Sequence, residues 1–201
     1  MIDHATPSIP LTYYKTDTKS FPSVSLPDGY EFVFYRDGDE HAWAEIEVNV
    51  GQFQSIDDGI KTFRSEFLEN QTLDPHDRIL FIKASNGELV ATCALWNGCF
   101  LGEVRQRLHW LAIKDTHAGK GLAKALLCRL LTLYNELGYE GFLYLLTSSR
   151  YYPAIRIYRK LGFAEYLGPR SLSSRMTDEE FVKQALNAKA IVDERLSEPC
   201  L

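Results

Sequence analysis

Leu111-Ala112-Ile113-Lys114-Asp115-Thr116-His117-Ala118-Gly119-Lys120-Gly121-Leu122-Ala123-Lys124-Ala125-Leu126-Leu127 is the stretch on which the reading of this chain turns. It begins as the end of an apolar strand, passes through a glycine-rich turn and enters a long amphipathic helix. The first turn of a helix carries N–H groups with no intrahelical partner, and the macrodipole places partial positive charge at the same end. Such a junction can hold an anion, phosphate above all, with the backbone alone. Gly119 and Gly121 let the backbone come close because no Cβ stands in the way, and Lys120 and Lys124 add positive charge.

Two nucleotide motifs are tested first and both fail. A P-loop needs G-x-x-x-x-G-K-[ST], which Gly119-Lys120-Gly121-Leu122 does not supply. A dinucleotide fingerprint needs a third glycine where Lys124 stands, and an acid after a following strand. What remains is Gly-x-Gly-x-Ala at a strand-to-helix junction.

Upstream, Arg107 to Ile113 reads as the strand feeding the turn, with alternation placing Arg107, His109, Leu111 and Ile113 on one face. Ile79–Ala84 and Glu88–Trp96 read as strands joined by Ser85-Asn86-Gly87, an antiparallel hairpin. Asn97-Gly98 is read as another turn, and Asn97 to Glu103 as a loop. Asp39–Val50 and a segment opening at Gln54 or Ser55 carry helical apolar spacing, and Tyr30–Arg36 alternates as a first strand. Residues 1–28, with Pro7, Pro10, Pro22 and Pro27, are expected to form an irregular arm.

Downstream, the helix from about Gly121 to Leu137 ends at Gly138. A short strand at Phe142–Leu146, a helix at Tyr152–Leu161 closed by Gly162 and a last strand at Phe163–Leu167 follow. Thr177-Asp178-Glu179-Glu180 is a capping-box start for a C-terminal helix. The order β-α-α-β-β-β-α-β-α-β with a helical tail gives the α/β class, a mixed and mostly antiparallel sheet with flanking helices.

Composition narrows the function classes. The 201 residues are 45% hydrophobic and 24% charged, with a net charge of −5, which disfavours a general nucleic-acid binder. Cys93, Cys99, Cys128 and Cys200 show neither C-x-x-C nor zinc-site spacing, so no metal is expected. Cys128 is read as core and Cys200 as a thiol at a frayed end. Met1–Pro10 lacks the marks of a signal peptide, and no apolar run approaches the ~20 residues that span a bilayer. The expectation is a cytoplasmic protein without membrane partners.

A second motif changes the weight of the first. Tyr151-Tyr152-Pro153-Ala154-Ile155-Arg156-Ile157-Tyr158-Arg159-Lys160-Leu161-Gly162-Phe163 follows at a βαβ distance. With it the sequence resembles the GNAT N-acetyltransferase superfamily. The family signature [QR]-x-x-G-x-[GA] is approached by Ala118-Gly119-Lys120-Gly121-Leu122-Ala123. The signature N-x-x-A-x-x-x-Y-x-K-x-G-F is matched by Ala154, Tyr158, Lys160, Gly162 and Phe163. Ala118 stands where Gln or Arg is usual, and Tyr151 where Asn is usual.

The resemblance implies a GNAT-like fold with splayed central strands and acetyl-CoA as co-substrate. It places Leu111, Ala112, Ile113, His117, Ala118, Gly119, Lys120, Gly121, Leu122, Ala123, Tyr151 and Ala154 at the cofactor. It makes Tyr158 the acid that protonates the leaving thiolate, a task a phenol of pKa about 10 can perform. A strand N–H near Leu111–Ile113 would serve the oxyanion. His109 is the candidate base for the incoming ammonium, with Glu103 as the alternative and water as a third. Glu45, Glu47 and Glu66 are candidates to attract an amine, each with a solvated helix face as its plain reading; Lys15, Lys19, Lys61 and Lys83 are read as surface.

The expected organisation is an arm over residues 1–28, an acetyltransferase domain over 29–168 and a C-terminal helical extension over 169–201. That extension is expected to dock on its own domain or on a second chain, a homodimer. The expected activity is direct acetyl transfer from acetyl-CoA to a primary amine of a small molecule, amino acid or peptide. The alternative is a CoA-binding regulatory protein without turnover.

Overall fold

Strand β3 (Ile79–Ala84) is apolar at nearly every position because helices cover both of its faces. Ile79 and Phe81 join an aromatic cluster built with α1 (Glu40–Asn49) and α2 (Ile56–Phe63). Leu80 and Ile82 turn to the opposite face, the side of α3 (Leu122–Glu136). A strand buried on both faces reads as a continuous hydrophobic run rather than an alternation.

The computed structural model describes residues 5–69, 72–169 and 176–197. Cys200 lies outside the described residues. The described residues fall into two compact units, one within 22–97 and 108–139, the other within 5–21, 98–107 and 140–197.

In the first unit the strand order is β2 (Tyr30–Phe34), β3, β4 (Leu89–Phe100), β5 (Glu103–Ile113), with β2–β3 and β3–β4 antiparallel. Helix α1 buries Trp43, Ala44 and Ile46. Ser55 caps α2, its Oγ accepting from Asp58 N at 3.2 Å. The helix then widens into a π-helical turn over Arg64–Glu69. Such widened turns are rare and are often retained where a side chain must be re-aimed; here the turn presents Glu66 and buries Phe67. Helix α3 buries Leu122, Leu126, Leu130 and Leu133 at the spacing the sequence predicts, together with Cys128.

In the second unit the start of β5 is followed by β6 (Leu143–Ser148), β1 (Pro10–Lys15) and β7 (Ala164–Glu165). Strand β1 corrects the expectation of an irregular arm: Pro10–Lys15 pairs antiparallel with the full length of β6 and with β7. Pro10 opens the strand, where a missing N–H is tolerated, and Leu11 and Tyr13 enter the core. Lys15, read as surface, is 4% exposed at the end of this strand.

Two further expectations are revised. Strand β4 runs through Asn97-Gly98 to Phe100, and the turn is Leu101-Gly102, so Asn97–Glu103 is a hairpin tip rather than a loop. A Cβ at Gly98 would lie 2.2 Å from the Tyr144 hydroxyl; the glycine there serves close packing, not a turn.

Helix α5 (Asp178–Ser197) starts with the predicted capping box, Glu180 N donating to Thr177 Oγ1 at 3.2 Å and Thr177 N to Glu180 Oε2 at 2.8 Å. It docks on α4 (Tyr152–Lys160), where Arg159 binds Asp193 at 2.5 Å and also pairs with Glu165 of β7. Glu165 in turn accepts from the buried Tyr13 hydroxyl at 3.0 Å. One guanidinium thus ties the C-terminal helix, the last strand and the N-terminal strand to α4. Among the described residues no helix is long and apolar enough to cross a membrane.

Glu47 is not on a solvated helix face. It is 1% exposed, its Oε1 has no hydrogen-bond partner among the described residues, and burial pushes its carboxyl up to about 8. The folded state therefore holds this proton more tightly than the unfolded chain, whose carboxyl sits near 4.5. The stabilising contribution is complete below the unfolded value and is lost as pH rises through the folded one. Urea midpoints measured from pH 4 to 9 should show stability falling across about pH 4.5–8, and Glu47→Gln should remove that part of the slope. An unchanged slope would place Glu47 ionised and solvated.

Candidate functional site

The turn that opens α3 is built by β5 running out at Ile113. Lys114 N donates to Val90 O at 2.9 Å and continues the ladder one residue further. Lys114 Nζ then binds Glu88 at 2.8 Å and Glu45 at 3.5 Å. The ammonium beside Glu88 holds that carboxyl below the usual carboxylate range. Asp115 N donates to Asn49 Oδ1 at 2.8 Å, fixing the turn to the end of α1. Asp115–His117 form one 3-10 turn, and Ala118 N returns to Asp115 O.

The chain then passes through Gly119 (φ +77°) and Gly121 (φ +81°). Both lie in the left-handed region that L side chains enter at a cost of about 1–2 kcal/mol. A Cβ built on either meets nothing within 4 Å. The glycines therefore leave open space above the N–H groups of the first turn of α3, the cradle that the sequence implies for a phosphate. The residues present fit the pyrophosphate of a coenzyme A: a left-handed glycine pair, a helix N-terminus and the nearby charge of Lys120 and Lys124.

His117 and Lys120 do not hang loose over this cradle. The Tyr30 hydroxyl lies 2.8 Å from His117 Nδ1 and accepts from Lys120 Nζ at 3.0 Å. The hydroxyl, already an acceptor from the lysine, is set to donate to Nδ1, which leaves the histidine proton on Nε2. The Tyr30 and His117 rings also meet edge to face at 5.7 Å. Ala118 is exposed, so the position where a polar side chain is usual offers only backbone.

His109 is 18% exposed at its side chain and its Nε2 lies 2.8 Å from Glu66 Oε2. The ring packs beside Phe67 and Trp110. Trp110 has φ +54°, a left-handed residue inside a strand. This breaks the predicted alternation over Arg107, His109, Leu111 and Ile113. His109 and Trp110 are consecutive, yet their rings meet Phe67 and Trp43 of the same aromatic cluster, and Ala112 belongs to that cluster as well. A two-residue pleat cannot place neighbours on one face; a left-handed interruption can. Leu111 and Ile113 are half-buried.

The second unit carries the other predicted residues. Tyr158 is 7% exposed on α4, its ring beside Tyr13 and Phe163. Gly162 (φ +82°) ends the helix and returns Phe163 N to Tyr158 O at 3.0 Å. Tyr151 is the N-cap of α4, and Ala154 is half-buried in its first turn. Glu103 opens β5 with its carboxylate on Arg105.

The glycine turn is marked in the sequence, whereas the side chains that tie it down are not. Tyr30 is separated from His117 by 87 residues and Glu66 from His109 by 43. Neither pair leaves a local signal; Glu66 stands in the π-helical turn that follows α2, which apolar periodicity does not reveal.

A family model described as "Acetyltransferase (GNAT) family" matches residues 40–163. Among solved structures, a GCN5-related N-acetyltransferase from Sphaerobacter thermophilus aligns with TM-score 0.60 at 19% identity, covering 80% of this chain and 49% of that one. A GNAT-family acetyltransferase from Colwellia psychrerythraea aligns with TM-score 0.58 at 15% identity, covering 82% and 55%. The chain thus spans about half the length of these structures. No curated protein matches it.

Tyr30→Phe should release both partners of the hydroxyl. The nitrogen resonances of His117 should lose their preference for the Nε2–H tautomer, and stability should fall by about 1 kcal/mol. Unshifted resonances would show that the hydroxyl does not govern the ring.

Proposed function

The chain belongs to the acetyltransferase (GNAT) family, and we propose that it transfers an acetyl group from acetyl-CoA directly to a primary amine. The observation that carries this reading is the left-handed Gly119–Gly121 pair at the start of α3, with open space where side chains would otherwise stand.

Acetyl-CoA would supply an activated thioester, its pyrophosphate held by the backbone from Gly119 to Ala123 and by Lys120. Leu111, Ala112 and Ile113 would offer backbone groups to the pantetheine arm and an N–H to the developing oxyanion. Tyr151 and Ala154 would complete the cofactor contacts on α4. The amine must lose a proton before it attacks. His109 is suited to take it: with Nε2–H donated to Glu66, Nδ1 is the basic nitrogen of the neutral ring. Glu66 holds the tautomer and stabilises the imidazolium once it forms. Tyr158 would donate its phenolic proton to the departing sulfur. None of these steps needs an acyl-enzyme. Cys93 and Cys128 are buried, and burial pushes both thiols up, away from the nucleophilic thiolate.

The acceptor class is a small amine, an amino acid or a peptide N-terminus. A CoA-binding regulator without turnover is the second reading, favoured by the exposed, apolar Ala118. A panel of primary amines with acetyl-CoA, followed by release of free thiol, separates the two: turnover with any amine supports the first, and CoA binding without thiol release the second.

Tyr158→Phe should lower turnover about 100-fold or more while leaving CoA affinity near wild type. An unchanged rate would remove Tyr158 as the acid. His109→Ala should flatten the acidic limb of the pH–rate profile, and Glu66→Gln should shift that limb while KM for acetyl-CoA stays constant. If the limb persists in both variants, the base lies elsewhere.

A further inference from the structure

The recess at the tip of the β4–β5 hairpin is lined by none of the residues given a role in the proposed transfer. Tyr14 of β1, Phe100 and Leu101 at the tip, Glu103 of β5, Phe142 before β6 and Tyr166 after β7 enclose about 320 Å3. All six belong to the second unit. The rings brace one another: Phe100 meets Phe142 at 5.1 Å and Tyr166 at 5.0 Å, and Tyr14 stands edge-on to Phe142 and Tyr166 at 6.3 and 6.0 Å. None of the four is fully buried. Aromatic side chains that serve only as core close over one another; four half-buried rings around a hollow form a wall with accessible faces.

Among the described residues lining this wall, the one carboxylate is Glu103. A positive charge already makes use of it. The Arg105 guanidinium lies 5.1 Å from the Phe142 ring centroid, and its Nη2 is 2.5 Å from Glu103 Oε2. Arg105 does not line the hollow itself; it reaches the ring and the carboxylate from the flank. The turn beside them is also unusual. Leu101 (φ +54°) and Gly102 (φ +85°) are both left-handed, a two-residue turn that Asn-Gly forms without strain. A leucine at the first position is strained, and its side chain lines the recess.

We propose that this recess binds a small organic ammonium ion, with its alkyl groups against the rings and its charge shared between the ring faces and Glu103 in place of Arg105. Ring faces attract a cation through their quadrupole, and the carboxylate adds a point charge that an uncharged ligand of the same shape cannot use. The volume leaves room for a compact substituted ammonium.

Isothermal titration of the full chain with choline and with its uncharged isostere 3,3-dimethylbutan-1-ol tests this. Choline carries no primary amine, so the result is independent of the acetyl-transfer reading. Choline should bind at least about tenfold more tightly than the isostere. Glu103→Gln and Phe100→Leu should each weaken choline several-fold. Arg105→Met should strengthen it, because the competing guanidinium is gone. Glu103→Gln changes an exposed side chain and Arg105→Met a half-exposed one, so their opposite directions are readable even if Phe100→Leu fails to fold. Absence of choline binding to wild type, equal affinity for the two ligands, or weakening by Arg105→Met would each overturn the proposal.

Discussion

The left-handed backbone at Trp110 is the constraint on which the placement of His109 rests. A bulky residue with positive φ costs about 1–2 kcal/mol and persists only where packing over-determines it. Here the indole meets Trp43 at 5.3 Å and Phe53 at 5.5 Å. A half-buried indole of this size returns roughly 2–3 kcal/mol of transfer free energy, which works against the strain. The consequence is local and specific: His109 and Trp110 both turn toward α1 and α2, and His109 meets Glu66. Without the interruption, plain alternation would send one of the two rings to the other face of the sheet.

The same logic runs through the turn that follows. Lys114 is held between Glu88 and Glu45, Asp115 is bonded to Asn49, and His117 and Lys120 share the Tyr30 hydroxyl. Each tie links the glycine turn to a different element: the β3–β4 hairpin, the end of α1, and β2. A backbone cradle is useful only if it is already in shape before its ligand arrives, because ordering a flexible glycine loop would consume binding free energy. The glycines supply access, and the flanking side chains supply the rigidity that glycines lack.

What could be read from the sequence, and what could not, divides along the range of the interactions. The α3 register, the glycine turn, the Ser55 cap and the Thr177–Glu180 box are set by residues a few positions apart, and each stands where periodicity and capping rules put it. Strand β1 was hidden by prolines at both ends of its segment, although Leu11 and Tyr13 carry strand alternation between them. The burial of Lys15 and Glu47 follows from partners that are remote in sequence. So do the Tyr30–His117 and Glu66–His109 pairs, across which no local rule operates. The break at Trp110 contradicts a rule outright: a tryptophan at positive φ is the choice that local propensity argues against.

Several departures from local rules in the first unit lie close together. Trp43 Nε1, Trp110 Nε1, Thr92 Oγ1 and Glu47 Oε1 are all buried without a hydrogen-bond partner among the described residues. Trp43 and Glu47 are one helical turn apart on α1. Thr92 is opposite Phe81, a member of the aromatic cluster, and Trp110 packs on Trp43. The unpaired polar atoms and the left-handed backbone thus share the face where His109 meets Glu66. Each unpaired buried group costs about 1–3 kcal/mol, a burden that a core selected for stability alone would shed by substituting Phe, Val or Leu at these positions. Sequences tend to break their own rules where a site requires it. Strain at Trp110 and four of the unsatisfied polar atoms thus gather on the face that carries the proposed base, which is what a site built at a cost in stability would show.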